Sequence, residues 1–197
     1  IFCAVRPPGH HASSDLAMGF CLFNNVAIAA RFALAKFKLK RVMIIDFDLH
    51  HGNGTQDIFY NTDEVFYISL HQFPHYPGSG SAGETGEGKG KGYTLNFPMS
   101  AGSGEQEYLE KFRGGIRDAV EDYRPELFII SAGFDAHWHD PLGSIKLESE
   151  SYFKMTAIIG QFADKHADGR IVSMLEGGYN LKALSESAVC HVKGLMS

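Results

Sequence analysis

The residues of this 197-residue chain best suited to chemistry lie in one stretch, Arg41 to Gln56, which reads RVMIIDFDLHHGNGTQ. The apolar run Val42-Met43-Ile44-Ile45 ends abruptly in Asp46, Asp48, His50 and His51, then breaks at Gly52 and Gly54. Residues at i, i+2 and i+4 of an extended chain face one side. If the strand geometry persists, Asp46, Asp48 and His50 project together from its C-terminal end. Carboxylates and an imidazole at that spacing suit a divalent metal. Zinc is the first choice because it accepts both oxygen and nitrogen ligands. Ionisable groups beside a buried strand are costly without such a partner.

Three further segments bring chemistry of the same kind. Arg6-Pro7-Pro8-Gly9 is a stiff turn that presents His10-His11, a plausible acid/base pair. The run Leu127 to Ser131 empties into Gly133-Phe134-Asp135, and Ile171 to Leu175 into Glu176-Gly177-Gly178-Tyr179-Asn180. Asp48, His50 and Asp135 would give a metal three protein ligands and an open position, the pattern of a catalytic site rather than a structural one. Such a metal lowers the pKa of water and polarises a carbonyl. One histidine of the pair could then take a proton and later return it to the leaving group. Tyr179 could donate a hydrogen bond to the developing oxyanion. Read from the residues alone, this is metal-assisted hydrolysis of an amide or ester.

The elements that must position these groups alternate between strand and helix. Strands are expected at Ile1–Val5, Val42–Ile45, Val65–Leu70, Tyr93–Phe97, Leu127–Ser131 and Ile171–Leu175. Helices are expected from Asn24 or Asn25 to Phe37, Glu105 to Tyr123, Ser151 to His166 and at the C-terminus, with a helical turn over Gln56–Tyr60. The pattern predicts an α/β fold with a mainly parallel sheet flanked by helices, as one domain over residues 1–197. In such sheets ligands bind at the C-terminal strand ends. Gly78-x-Gly80-x-x-Gly83 has the spacing of a dinucleotide fingerprint but follows an aromatic-proline turn and opens no helix, so the long loop His71–Gly92 reads as a substrate rim. His137 and His139, either side of Trp138, read as rim or packing residues. His71, His75, His166 and His191 read as ordinary loop or surface histidines.

Composition narrows the class. A hydrophobic content of 44% with 21% charged residues is that of a globular domain. A net charge of -5 supplies no basic footprint for nucleic acid. Cys3, Cys21 and Cys190 are odd in number and far apart, which argues against a disulfide framework and for a reducing compartment, the cytoplasm or, in a eukaryote, the nucleus. No run has transmembrane length and no signal peptide is visible, so no membrane partner is expected. The first residues already read as a strand without an initiator methionine, so the chain is expected to be an interior excerpt that lacks its N-terminal part.

The motifs RPPGHHA, GFCLFNN, DFDLHHGNGTQ, SAGFDAHWHDP and EGGYN, in this order between residues 6 and 180, resemble those of the zinc-dependent histone deacetylase family, on its class II and bacterial amidohydrolase side. The resemblance implies the arginase/deacetylase fold and hydrolysis of an N-acetyl amide, acetyl-lysine in a protein or peptide, to the amine and acetate. Position by position it makes Asp48, His50 and Asp135 the ligands of one Zn2+ and His11 the general base and acid. His10 would help electrostatically and Asp46 would orient it. Asn53 would face His11, where other branches carry Asp; an amide should leave His11 less basic than a carboxylate would. Tyr179 matches the catalytic tyrosine.

The resemblance also places Gly19 and Phe20 on one wall of an acyl-lysine tunnel and Tyr76 on the other, with Leu142 and Gly178 among the substrate contacts. Leu142 stands where a polyamine-selective branch carries Glu. A monovalent cation, K+, would sit near Asp46, Asp48, His50, Ser69 and Leu70, and a second near Phe59, Thr62, Val65 and Tyr93. The family's acidic rim residue would lie upstream of Ile1. Rival readings are a deacetylase of acetylpolyamines or other small acylated amines, a non-catalytic acyl-lysine-binding module and a dinuclear manganese ureohydrolase. The last would need aspartates that His50 and Trp138 do not supply. Oligomeric state is left open.

Overall fold

The computed structural model describes residues 1–197. Six strands form one entirely parallel sheet: β1 (Phe2–Cys3), β2 (Val42–Asp46), β3 (Val65–Gln72), β4 (Thr94–Met99), β5 (Leu127–Ala132) and β6 (Ile171–Leu175), in the order β1-β6-β5-β2-β3-β4. The helices are α1 (Asn25–Phe37), α2 (Asn53–Phe59), α3 (Glu105–Lys111), α4 (Arg117–Tyr123), α5 (Ser149–His166) and α6 (Leu181–Leu195). The strand that carries Asp46 is thus interior, paired with β3 on one side and β5 on the other.

Every residue of β2 is buried, which is why it reads as an unbroken apolar run. Its side chains divide by the two-residue period of a strand: Met43 and Ile45 enter the larger core with α3, α5 and Phe128, while Val42 and Ile44 pack with α1 and Phe59. Each fully buried Ile or Met there contributes about 1.5–3 kcal/mol relative to an exposed one. Helix α1 starts where the Asn24 side chain accepts the Ala27 N–H at 3.0 Å, and it ends at Lys38 in the left-handed region.

Some boundaries depart from the sequence reading. The first strand is only Phe2–Cys3, an edge strand on β6, because the chain turns into its proline segment just after it. Helix α2 begins at Asn53 rather than Gln56, and α5 at Ser149 rather than Ser151. The single helix expected from Glu105 to Tyr123 is broken by a π-helical segment, Phe112–Ile116. Gly114 there has φ -109° and ψ -108°, which no helix contains, and the extra residue keeps both Phe112 and Ile116 fully buried. The three cysteines are free thiols, and no helix is long and apolar enough to cross a membrane.

Candidate active site

The C-terminal ends of β2, β5 and β6 meet the His10-His11 turn, as their parallel alignment requires. The ladder of β2 stops at Asp46, so an extended strand does not carry the motif as far as His50. Instead, successive side chains catch the backbone two residues on. Asp46 Oδ1 accepts the Asp48 N–H at 3.1 Å, and Asp48 Oδ1 accepts the His50 N–H at 2.8 Å. The alternation survives: Phe47 and Leu49 are fully buried in the core, while Asp46, Asp48 and His50 turn to the site.

Asp48, His50 and Asp135 are buried, and one ligand atom from each lies within 4.8 Å of the others. His50 Nδ1 is 3.2 Å from Asp48 Oδ1 and 3.0 Å from Asp135 Oδ2. The remaining oxygens are held from behind: Leu49 N–H donates to Asp135 Oδ1 at 2.9 Å and Gly177 N–H to Asp48 Oδ2 at 2.8 Å. Glycine is required around this cradle, since a Cβ at Gly133 would collide with the Asp48 carboxylate and one at Gly177 with that of Asp135.

The electrostatics suit a cation. Burial, reinforced by Asp48, lifts Asp135 to about 7. Burial opposes charge on His50 too, but its hydrogen bonds to Asp135 and Asp48 raise it to about 10. Asp48 stays well below the carboxylate range, because His10 and His50 outweigh its burial. A proton on His50 therefore lies between two buried carboxylates, where a divalent ion would replace it. Two oxygens and one imidazole nitrogen fit zinc.

His10 and His11 are both buried, with ring centroids 4.1 Å apart. His10 Nδ1 donates to Asp46 Oδ2 at 3.0 Å, and Tyr67 O–H donates to the same oxygen at 3.0 Å. Burial alone would lower His10, but Asp48 and Asp46 hold it well above its ordinary 6.5. His11 is driven the other way, to about 3, by burial and then by the charge on His10. His11 Nδ1 lies 2.8 Å from Asn53 Oδ1, an oxygen that only accepts, so the proton is on Nδ1 and Nε2 keeps its lone pair. The pair is thus split into one cationic ring and one neutral ring. Burial, with Asp48 and Asp135 nearby, raises the Tyr179 phenol, which remains a donor.

Most of the other expected positions fall around this centre, but the second cation group lies at the N-terminal end of β3, where Val65 pairs with Val42, the opposite end of the strands from Asp46. Phe20 is exposed, at φ 65°, with its ring 6.1 Å from that of Tyr179. A Cβ on Gly19 would strike the His11 ring. Tyr76 stands edge-on to His11 at 5.2 Å and to His50 at 6.0 Å, and Leu142 is exposed nearby, its carbonyl accepting from His75 Nε2 at 3.0 Å. Gly178 precedes Tyr179 at φ 135°. For the first cation position, Asp46 is in register with Ser69, and Asp48, His50 and Leu70 are buried around them. For the second, Phe59 and Val65 are buried and Thr62 and Tyr93 half-buried where α2 leads into β3.

Two of the histidines expected on loops or the surface are wholly buried. His71 bridges Ser69 Oγ at 2.9 Å and the Gly80 carbonyl at 2.9 Å, tying the 78–84 loop to β3. His191 sits inside α6 between Thr156 and Ser173. His75 also has a place at the site, stacked on the His50 ring at 5.3 Å. Of His137, Trp138 and His139, only His137 is buried.

Glu176 is a position at the site that the sequence motifs do not single out. It is fully buried, and its Oε2 accepts the N–H groups of Gly9 at 2.6 Å and His10 at 3.1 Å, while its Oε1 accepts Ser131 Oγ–H at 3.0 Å. Burial raises it to about 7. It ties the histidine turn to the ends of β5 and β6. The available signal was a carboxylate directly following an apolar strand.

A family model described as "Histone deacetylase domain" matches residues 1–195. "Histone deacetylase 10, chloroplastic" of Oryza sativa subsp. japonica is 47% identical over 186 residues, covering 94% of this chain and 42% of that protein. "Histone deacetylase-like amidohydrolase" of Pseudomonas aeruginosa is 46% identical over 178 residues, covering 89% of this chain and 46% of that protein. The solved structure of the HDA15 HD domain matches with a TM-score of 0.94 at 45% identity, over 99% of this chain and 55% of that one. The chain spans about half the length of these relatives.

Proposed function

The chain belongs to the histone deacetylase family, and from that premise we propose that it is the catalytic unit of a zinc-dependent amidohydrolase that releases acetate from N-acetyl-lysine in a protein or peptide. The observation that carries this reading is the meeting of the buried Asp48, His50 and Asp135 donors with a buried histidine pair, His10 hydrogen-bonded to the Asp46 carboxylate and His11 to the Asn53 amide. Those three residues would hold Zn2+, which when bound lowers the pKa of water and polarises an amide carbonyl.

The chain's own groups supply the rest. His11, neutral with Nε2 free, accepts the proton of the attacking water and delivers it to the leaving lysine nitrogen. Cationic His10, fixed by Asp46, stabilises the negative charge that develops on the carbonyl oxygen. The Tyr179 phenol donates to that same oxygen. Phe20 and Tyr76 flank the alkyl stem of the substrate, and the apolar Leu142 favours an acyl-lysine over a cationic polyamine. A potassium ion among Asp46, Asp48, His50, Ser69 and Leu70 is part of the same reading.

The test is hydrolysis of a fluorogenic acetyl-lysine peptide by the full-length protein, with and without a chelator and with zinc added back. An acetylpolyamine substrate runs in parallel. Chelator-sensitive peptide turnover supports the proposal. Turnover of the polyamine alone replaces the substrate assignment, and no turnover with zinc at full occupancy favours an acyl-lysine-binding module.

A further inference from the structure

Tyr179 is reached through Gly177-Gly178, and Gly178 at φ 135° lies in a region that side-chain-bearing residues seldom adopt. A two-glycine approach does not fix where the phenol goes; its anchors do. On the upstream side Gly177 is held twice, its N–H by Asp48 Oδ2 at 2.8 Å and its carbonyl by the Phe134 N–H at 3.0 Å. On the downstream side the backbone of Tyr179 itself is held by Asp140. This buried residue's Oδ2 accepts the N–H of Tyr179 at 2.7 Å and that of Asn180 at 3.2 Å. Its other oxygen, Oδ1, accepts the Leu142 N–H at 3.1 Å. One carboxylate therefore binds the backbone of the tyrosine and that of the exposed Leu142, whose carbonyl accepts from His75, the ring stacked on His50. A second link reinforces it, from Asn180 Nδ2 to the His139 carbonyl at 3.2 Å.

We propose that Asp140 is a positioning residue. It closes the hinge at Gly178 and sets the Tyr179 phenol and the Leu142 wall in one fixed relation across the site. The inference rests on the deacetylase reading for the role of Tyr179, but the placement of the backbone stands independently of it. A simpler account gives Asp140 only the task of placing negative charge at the N-terminus of α6, which would stabilise the helix. That account predicts a loss of stability with no specific coupling to Tyr179.

The experiment is a double-mutant cycle in the full-length protein, Asp140→Ala with Tyr179→Phe, together with Asp140→Asn and amide hydrogen exchange across residues 177–182. Asp140→Ala should lower kcat by about 10- to 100-fold with a much smaller change in KM, as a misplaced group does. In the Tyr179→Phe background the same change should cost less than about threefold. Asp140→Asn, whose one amide oxygen replaces only part of the acceptor set, should fall between. Exchange at the Tyr179 and Asn180 amides should speed at least about tenfold in Asp140→Ala while the Phe134 amide stays protected. An equal loss in both backgrounds, an unchanged kcat, or unchanged protection of Tyr179 would overturn the proposal. Should the wild type turn over no acylated amine, the deacetylase reading fails, and the exchange measurement alone decides the positioning by Asp140.

Discussion

Acid should destabilise this fold in part through one histidine that makes no hydrogen bond to the site residues and lies in the core behind them. His191 is fully buried in α6 with the rings of Phe2, Phe47 and Phe134 at 5.4, 5.8 and 5.7 Å. Its Nδ1 lies 2.6 Å from Thr156 Oγ1 and its Nε2 2.7 Å from Ser173 Oγ. Both partners are hydroxyls, which can rotate to accept as well as donate, so hydrogen bonding alone does not forbid an imidazolium. Burial does, and it pushes His191 from 6.5 down to about 3. The folded state therefore keeps the ring neutral, while the unfolded chain takes up a proton below pH 6.5. The resulting stability is fully present above that pH and is lost as pH falls from 6.5 toward 3. From pH 7.5 to 5.0 the loss amounts to about 2 kcal/mol, from roughly 1.5 pH units at about 1.4 kcal/mol each.

The assay is urea unfolding of the wild type and of His191→Gln at both pH values. Glutamine keeps a donor and an acceptor but does not titrate. Asp48, His50, Asp135 and the other buried histidines are common to both proteins and cancel in the difference. The wild type should lose about 2 kcal/mol more than the variant between pH 7.5 and 5.0. Parallel pH dependences in the two proteins would refute the reasoning, because His191 would then be protonated as readily in the fold as outside it.

Three further predictions concern the site. Tyr179→Phe should bind as much zinc as the wild type yet lose about 100-fold or more in kcat, the effect of removing one oxyanion donor; near-normal turnover would take Tyr179 out of the chemistry. Asp135→Ala should purify without metal by elemental analysis, and one zinc per chain in that variant would contradict its place among the ligands. Glu176→Ala leaves two backbone N–H groups and one hydroxyl without their acceptor, at about 1–3 kcal/mol for each one left dry, partly offset by removal of a buried carboxylate and by entering water. A net loss of about 2–4 kcal/mol in denaturant unfolding is expected, with Glu176→Gln milder; an alanine variant as stable as wild type would mean that the histidine turn holds itself.

The sheet and the strand ends that carry the polar residues were legible because both are written in local pattern. An apolar run that stops at Asp46 marks a buried strand and its end together, and parallel alignment then brings Asp48, Asp135 and Tyr179 to one edge. Roles within the site were another matter: the resemblance, not the pattern, assigned Asn53 to His11, and the structure places the two 2.8 Å apart. The break between α3 and α4 was hidden because a π-helical turn keeps Phe112 and Ile116 inward, so the apolar stripe runs on while the hydrogen-bond ladder does not. His191 was hidden because Thr156 and Ser173, which let a polar ring sit in the core, come from α5 and β6.

Glu176 and Asp140 mark a deeper limit. The donors they bind are backbone N–H groups of Gly9, His10, Tyr179 and Asn180, which nearly any residue could supply. A carboxylate paired with another side chain can at least suggest its partner by type; one paired with backbone suggests nothing. Groups suited to act on a substrate can therefore be proposed from residue type, while the groups that hold them still become visible only once the chain is folded.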